Sequence, residues 1–159
     1  MSPLRPMTPA DHALVLDWNE TDVDLLSPLD EPRLVALLGW SDRASMITHA
    51  GADVGFVLTF ASGTAYDSWN YRWFTERYES FYYLDRVVVD PAVRRAGIGT
   101  RVYDELEHRA RQVAPVMCLE VNLEPPNEPS LAFHRRRGYV EVGQAMAGDH
   151  LVCLMAKEL

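Results

Sequence analysis

The stretch that decides the fold is Val87-Val88-Val89-Asp90-Pro91-Ala92-Val93-Arg94-Arg95-Ala96-Gly97-Ile98-Gly99-Thr100. Its three valines predict the end of a buried strand, which Asp90-Pro91 stops. A basic loop with Arg94 and Arg95 follows and leads into a helix. Gly97 and Gly99 lack a Cβ, so another molecule can approach their backbone N–H groups. Because the first N–H groups of a helix have no internal partner, this junction is predicted to bind phosphate. The alternative is a plain strand-to-helix turn with its arginines in solvent.

Composition limits the classes of protein that the chain can belong to. Its 159 residues, 48% of them hydrophobic, can bury the core of one domain, residues 1–159. A net charge of −8 argues against a nucleic-acid partner. The chain has no apolar run of membrane-spanning length and begins without a signal-peptide pattern, so no membrane partner is expected. Cys118 and Cys153 lie in strand-like runs and are predicted to be reduced core thiols, which indicates a cytoplasmic protein.

Periodicity and turn residues predict the element order β-α-α-β-β-β-α-β-α-β-β. After a short strand at 4–7 and a helix capped by Thr8, the predicted elements are a helix at 31–40, strands at 44–49, 53–60 and 81–89, a helix at 97–112, a strand at 116–123, a helix at 127–137, and strands at 139–144 and 150–157.

The pattern Arg94-x-x-Gly97-x-Gly99 after an apolar strand resembles the acyl-CoA pyrophosphate loop of the GNAT superfamily of N-acetyltransferases. The chain lacks the G-x-G-x-x-G and Gly-Lys-Ser/Thr patterns of other phosphate loops. The resemblance implies an α/β (α+β) GNAT fold: a mixed, mostly antiparallel central sheet, flanked by helices, with splayed central strands. It also implies acetyl-CoA as co-substrate, held by Val87, Val88, Val89, Arg94, Arg95, Ala96, Gly97, Ile98, Gly99, Thr100, Asn127 and Phe133.

The second half of the chain carries a further match to this family. Asn127 stands seven residues before His134, and Gly138-Tyr139 follows, which resembles the closing segment of the superfamily. His134 replaces the usual tyrosine, which in the family lies near the cofactor sulfur and can protonate the departing thiolate. A histidine, with an unperturbed pKa of about 6.5, can do the same. The alternative is a packing histidine.

Strand alternation selects two candidate general bases. Asp85 shares a strand face with Tyr83 and Val87, and Glu120 shares one with Asn122. In the GNAT fold these two strands splay, and acetyl-CoA meets the acceptor in the gap. Either carboxylate would there take the proton of an ammonium group, and Glu120 is favoured. Each has a salt-bridge alternative, which for Asp85 is the neighbouring arginine.

The segment from Tyr66 to Phe81 is longer and more aromatic than a hairpin turn needs. With Tyr82-Tyr83-Leu84-Asp85-Arg86 and the run 120–127, it resembles a bacterial branch of predicted GNAT acetyltransferases. The predicted acceptor-binding residues are Tyr71, Trp73, Phe74, Tyr83 and Asn122. Packing of the aromatic rings on the sheet edge is the alternative.

The function implied is transfer of an acetyl group from acetyl-CoA to a small-molecule amine by direct attack in a ternary complex. Backbone N–H groups near Val87 and Val88 would stabilise the oxyanion. No metal is expected, because the sequence shows no His/Cys/Asp cluster with ligand spacing. A non-catalytic acyl-CoA-binding module and a peptide or protein N-acetyltransferase are the alternatives, and a homodimer is left open.

Overall fold

A computed structural model describes residues 2–22, 26–94 and 96–159 of the chain. Its strands are β1 (Leu4–Pro6), β2 (Arg43–His49), β3 (Ala52–Ala61), β4 (Tyr82–Val89), β5 (Val116–Glu124), β6 (Val140–Ala147) and β7 (His150–Glu158). Its α-helices are α1 (His12–Thr21), α2 (Glu31–Trp40), α3 (Trp69–Thr75), α4 (Ile98–Arg111) and α5 (Glu128–Arg136).

Within the described ranges, seven strands hydrogen-bond in the order β1-β2-β3-β4-β5-β7-β6. The β1–β2, β2–β3, β5–β7 and β6–β7 pairs are antiparallel. Strands β4 and β5 pair in parallel through Tyr82↔Met117 and Tyr83↔Cys118. This mixed, mostly antiparallel sheet with its helices confirms the predicted fold class. The chain groups into two compact units, residues 1–60 with 84–109 and residues 61–83 with 110–159.

The first unit is built from elements that the sequence predicted closely. Thr8 and Asp11 form a capping box at the 3₁₀ turn that enters α1. The Asp30 side chain accepts a hydrogen bond from Arg33 N at the start of α2. The apolar side chains that these helices and strands bury include Val15, Leu34, Leu37, Met46, Phe56, Leu58, Ile98, Val102 and Leu106. The last three lie at four-residue steps along α4 and form its buried stripe.

Helix α3, in the second unit, is absent from the predicted order. The Ser68 side chain caps it by accepting a hydrogen bond from Tyr71 N. Tertiary packing stabilises it: the Trp73 ring lies so close to Gly143 of β6 that a Cβ there would overlap the indole. The Arg77 guanidinium stacks 3.6 Å from the centroid of the Trp73 ring. The segment from Tyr66 to Phe81, which we call the aromatic insert, therefore contains a helix that packs on β6.

The two cysteines, Cys118 and Cys153, are buried and free, as predicted. Burial raises the pKa of the Cys118 thiol. Burial, together with a hydrogen bond from the thiol to Glu141, raises the pKa of Cys153 to about 12. Both groups therefore stay protonated at neutral pH. None of the helices in the described part of the chain is long and apolar enough to cross a lipid bilayer.

Candidate functional site

The junction between β4 and α4 forms the strand, loop and helix that the sequence predicted. Asp90 accepts a hydrogen bond from Ala92 N and starts a 3₁₀ turn. Gly97 then has a φ of +73°, with open space where a Cβ would stand, and α4 begins at the next residue. Only glycine adopts this left-handed conformation at little cost. The first backbone N–H groups of α4 thus follow directly on Gly97. We call residues 90–97, which are predicted to bind phosphate, the phosphate loop.

Arg94, a predicted phosphate ligand, is engaged within its own unit. Its Nε donates to Val89 O at 3.1 Å. One NH2 group contacts both carboxylate oxygens of Asp22, at 3.2 and 3.0 Å. Asp22 is the C-cap residue of α1. Sequence reasoning missed this partner, since 72 residues separate it from Arg94.

The remaining residues predicted to hold acetyl-CoA differ in exposure. Ile98 is buried and anchors α4 in its unit, whereas Ala96 and Thr100 are exposed. In β4, Val88 is buried, and Val87 and Val89 are half-buried, as is Gly99 at the start of α4. Arg95 lies outside the described residues. That these residues bind CoA stays a prediction.

Asp85 forms an ion pair with Arg86, which was the alternative to its predicted role as a general base. Its Oδ2 lies 3.0 Å from Arg86 Nε, and both side chains are almost completely buried. Arg86 also donates to Asn19 Oδ1 and to the Ser27 carbonyl and hydroxyl, at 2.7–2.9 Å. A buried guanidinium left without its carboxylate is costly. The geometry gives Asp85 a structural task, and its role as a base stays a prediction.

Glu120 has a different partner. Its Oε2 accepts a hydrogen bond of 2.6 Å from the Tyr83 hydroxyl. Tyr83 is fully buried and Glu120 is half-buried. Further along β5, the Asn122 carbonyl accepts a hydrogen bond from Asn127 N. The structure therefore brings together Tyr83 and Glu120 of the predicted set.

The aromatic residues of the insert surround Tyr83. Its ring centroid lies 6.5 Å from that of Tyr66, 5.5 Å from Tyr71 and 5.9 Å from Phe74. The Tyr71 hydroxyl donates to Ala61 O at 2.6 Å. Tyr71 and Phe74 are 1% and 0% exposed, so both form the inside of this cluster. Their predicted contact with an acceptor, like that of Trp73, stays a prediction.

Asn70 is a polar residue of α3 that sequence reasoning did not select. It is 6% exposed, and its Oδ1 has no hydrogen-bond partner in the described part of the chain. An unsatisfied buried acceptor destabilises a folded protein. The neighbouring Trp69 is 69% exposed. The start of α3 therefore carries one orphaned oxygen inside the protein and one ring exposed at the surface.

Helix α5 fixes the orientation of His134. Asn127 caps the helix by accepting a hydrogen bond from Ser130 N. His134 Nδ1 lies 2.7 Å from the Ser130 carbonyl, and because a carbonyl only accepts, Nδ1 carries the proton. The ring packs edge-on against Phe133 and Tyr139, 5.3 and 5.5 Å between centroids. Neutral His134 therefore has a lone pair on Nε2, and only the imidazolium can donate a proton from that atom.

The described residues contain no group of three or more His, Cys, Asp or Glu side chains that could hold a metal ion.

Comparison with known proteins gives a consistent result. The sequence model of the acetyltransferase (GNAT) family matches residues 14–139. Ard1 from Thermoplasma volcanium is 18% identical, over 98% of this chain and 96% of that chain, with a TM-score of 0.78. The ribosomal-protein-S18-alanine N-acetyltransferase from Escherichia coli is 16% identical over 99% and 94%, with a TM-score of 0.71. AAC(6')-Ib in complex with paromomycin and acetyl-CoA is 17% identical over 99% and 94%, with a TM-score of 0.76. No curated protein sequence matches the chain significantly. At these identities the solved structures share the fold.

Proposed function

The chain belongs to the acetyltransferase (GNAT) family, and from this we propose that it is an acetyl-CoA-dependent N-acetyltransferase of a small-molecule amine. The observation that carries the proposal is the phosphate loop. Gly97, in its left-handed conformation, leaves open space directly before the N-terminus of α4. Backbone N–H groups and the positive end of the helix dipole favour a phosphate there. Arg94 can add a full positive charge once it exchanges Asp22 for a phosphate oxygen.

The proposed reaction needs no covalent enzyme intermediate. Glu120 takes a proton from the acceptor ammonium, and the neutral nitrogen attacks the thioester carbonyl carbon. A C–N bond forms and the C–S bond breaks, while the N–H groups of Val87 and Val88 donate to the carbonyl oxygen as negative charge develops. Glu120, having passed its first proton to solvent, takes the second proton of the nitrogen as the amide forms, and His134 gives a proton to the departing thiolate. The products are the N-acetyl amide and free CoA.

The hydrogen bond of His134 decides which of its atoms can give a proton. Because Nδ1 is committed to the Ser130 carbonyl, the proton for the thiolate comes from Nε2 of the imidazolium. His134 lies in the last turn of α5, where the helix dipole favours a positive charge. The reaction can regenerate this cation, since the nitrogen of the ammonium loses two protons in each turnover and the thiolate takes up only one.

The support for a small acceptor comes from the start of α3. The exposed Trp69 ring offers an apolar and cation-attracting surface. A small amine with an apolar body matches this ring. The proposal includes a cytoplasmic location, which the two free cysteines support.

Two measurements test this function. Calorimetry with acetyl-CoA tests the phosphate loop, and an assay of free CoA release with a panel of primary amines tests transfer. The panel includes peptides with free N-termini, because one solved relative of this fold is a ribosomal-protein-S18-alanine N-acetyltransferase. We expect binding and acetylation of a small amine. If only peptides are acetylated, the acceptor is a peptide N-terminus and not a small molecule. If acetyl-CoA binds but no amine is acetylated, the protein is an acyl-CoA-binding module.

A further inference from the structure

The contact between Tyr83 and Glu120 follows from the register of two parallel strands. Tyr83 pairs with Cys118, and Glu120 lies two residues further along β5 on the same face as Cys118. Such a diagonal neighbour is beyond the reach of a short side chain, but a phenol spans the distance. The hydroxyl of Tyr83 meets Glu120 Oε2 at 2.6 Å, a short hydrogen bond of the kind that a carboxylate accepts.

The ring of Tyr83 is held from several sides. Tyr66, Tyr71 and Phe74 lie within 6.5 Å of it, centroid to centroid. Its side chain is fully buried, so it cannot rotate away without opening the cluster. The aromatic insert therefore fixes the position of one hydroxyl group.

The hydroxyl groups of Tyr71 and Tyr83, in the same cluster, have different hydrogen-bond acceptors. The Tyr71 hydroxyl donates to a backbone carbonyl, that of Ala61, which is a structural role. The Tyr83 hydroxyl donates instead to an ionisable side chain. Phenylalanine would fill the same volume in the cluster, so packing alone does not explain a tyrosine at position 83.

We propose that Tyr83 is the positioning residue of the general base: its hydroxyl holds the Glu120 carboxylate in one orientation through Oε2, so that Oε1 takes the proton of the acceptor amine. This inference rests on the proposed function of Glu120. The aromatic insert then acts on catalysis through Tyr83, as the support that keeps the base aligned.

The bond also sets the proton affinity of Glu120. A hydrogen bond donated to the ionised carboxylate stabilises that form, so loss of the hydroxyl raises the pKa of the carboxyl group. Titratable groups near the pair include the phenols of Tyr66 and Tyr71 and the Cys118 thiol on the same face of β5, with Tyr78 beside Cys118. Strand β7 places Leu154 opposite Glu120. Burial raises the pKa of the Cys118 thiol, which therefore stays neutral and adds no charge.

The test compares Tyr83→Phe with Tyr82→Phe. Both remove one hydroxyl from a buried phenol of β4, but the side chains at 82 and 83 point to opposite faces of the strand. The carboxyl of Glu120 is followed by ¹³C NMR in protein labelled at glutamate, with Glu120→Gln used to assign its signal. The pH dependence of kcat/KM is measured on the same variants with the acceptor found in the panel.

We expect Tyr83→Phe to raise the titration midpoint of Glu120 by about one to two pH units, since the free energy of a hydrogen bond to a charged group corresponds to a shift of this size. The acid limb of kcat/KM should move upward by the same amount, and kcat should fall about tenfold through loss of alignment. Tyr82→Phe should leave both curves in place.

Two results would overturn the inference. One is an unchanged Glu120 midpoint in Tyr83→Phe, which would show that the hydroxyl does not set the state of the carboxylate. The other is a shifted midpoint with an unmoved acid limb, which would show that the oriented carboxylate is not the base. Failure of the proposed function is distinct: the wild-type protein would then transfer no acetyl group to any amine, whatever the NMR titrations show.

Discussion

The ion pair between Arg94 and Asp22 predicts that Asp22→Asn strengthens binding of acetyl-CoA. Arg94 NH2 contacts both oxygens of the Asp22 carboxylate, and Nε is bound to Val89 O. A phosphate oxygen that takes up this guanidinium must displace Asp22. The free protein is therefore stabilised by a contact that the complex loses. Asparagine keeps the shape of the side chain and removes its charge.

The magnitude follows from the exposure of the pair. The Arg94 side chain is 46% exposed and that of Asp22 is 19% exposed. Exposed ion pairs contribute about 0.2–1 kcal/mol, and the partial burial of Asp22 places this pair in the upper half of that range. Because 1.4 kcal/mol corresponds to a factor of ten, the Kd of acetyl-CoA should fall about three- to fivefold.

The assay is calorimetric titration with acetyl-CoA at low and at high salt. Asp17→Asn is the matched control, because it removes one negative charge from an exposed position of α1. The gain from Asp22→Asn should shrink at high salt, which screens exposed charges. It should vanish in the double variant with Arg94→Gln. If Asp22→Asn and Asp17→Asn bind acetyl-CoA alike at low salt, Arg94 is not a phosphate ligand.

Three further predictions concern single residues. His134→Phe should lower kcat about 100-fold with little change in the Kd of acetyl-CoA, whereas His134→Tyr should retain substantial turnover; full activity of both variants in steady-state assays would leave His134 as packing. Asn70→Leu should raise the free energy of unfolding by about 1 kcal/mol in denaturant titration, because it removes an unsatisfied buried oxygen; a less stable variant would refute this. Asp11 has its pKa lowered chiefly by the Arg5 guanidinium and also by Thr8, so it contributes stability above the unfolded pKa of 3.8 and loses it as pH falls. Asp11→Asn should therefore be about 1 kcal/mol less stable at pH 7, after allowance for the exposure of Arg5, and equally stable at strongly acidic pH; a difference independent of pH would contradict the ion pair.

Local sequence signals predicted most of the fold. Helix α2 has the predicted bounds because Asp30 and the leucines mark its start and its apolar face. Helix α3 was missed since Trp, Tyr, Phe and Thr are weak helix formers, and packing of Trp73 on Gly143 decides its conformation. The one local signal for α3 was Ser68, which caps it.

The candidate site was predictable only where local rules apply. Strand alternation placed Glu120 and Tyr83 on the right faces, but their bond depends on the register Tyr83↔Cys118, which no local pattern gives. Asp22, which pairs with Arg94, lies 72 residues away in the sequence, and nothing local distinguishes it from the other acidic residues near it. Long-range pairing of side chains is set by tertiary structure, and sequence patterns report mainly local structure.

The most direct test of the central claim is acetyl transfer by Glu120→Gln beside Glu124→Gln. Both variants remove one carboxylate from β5, but Glu124 is exposed at the end of the strand. With ¹³C-acetyl-CoA and the amine panel, the account predicts N-acetyl product from the wild type and from Glu124→Gln. It predicts a rate at least about 100-fold lower for Glu120→Gln, with acetyl-CoA affinity retained. Equal rates for all three proteins would contradict the role of Glu120, and no N-acetyl product from any of them would contradict the proposed activity.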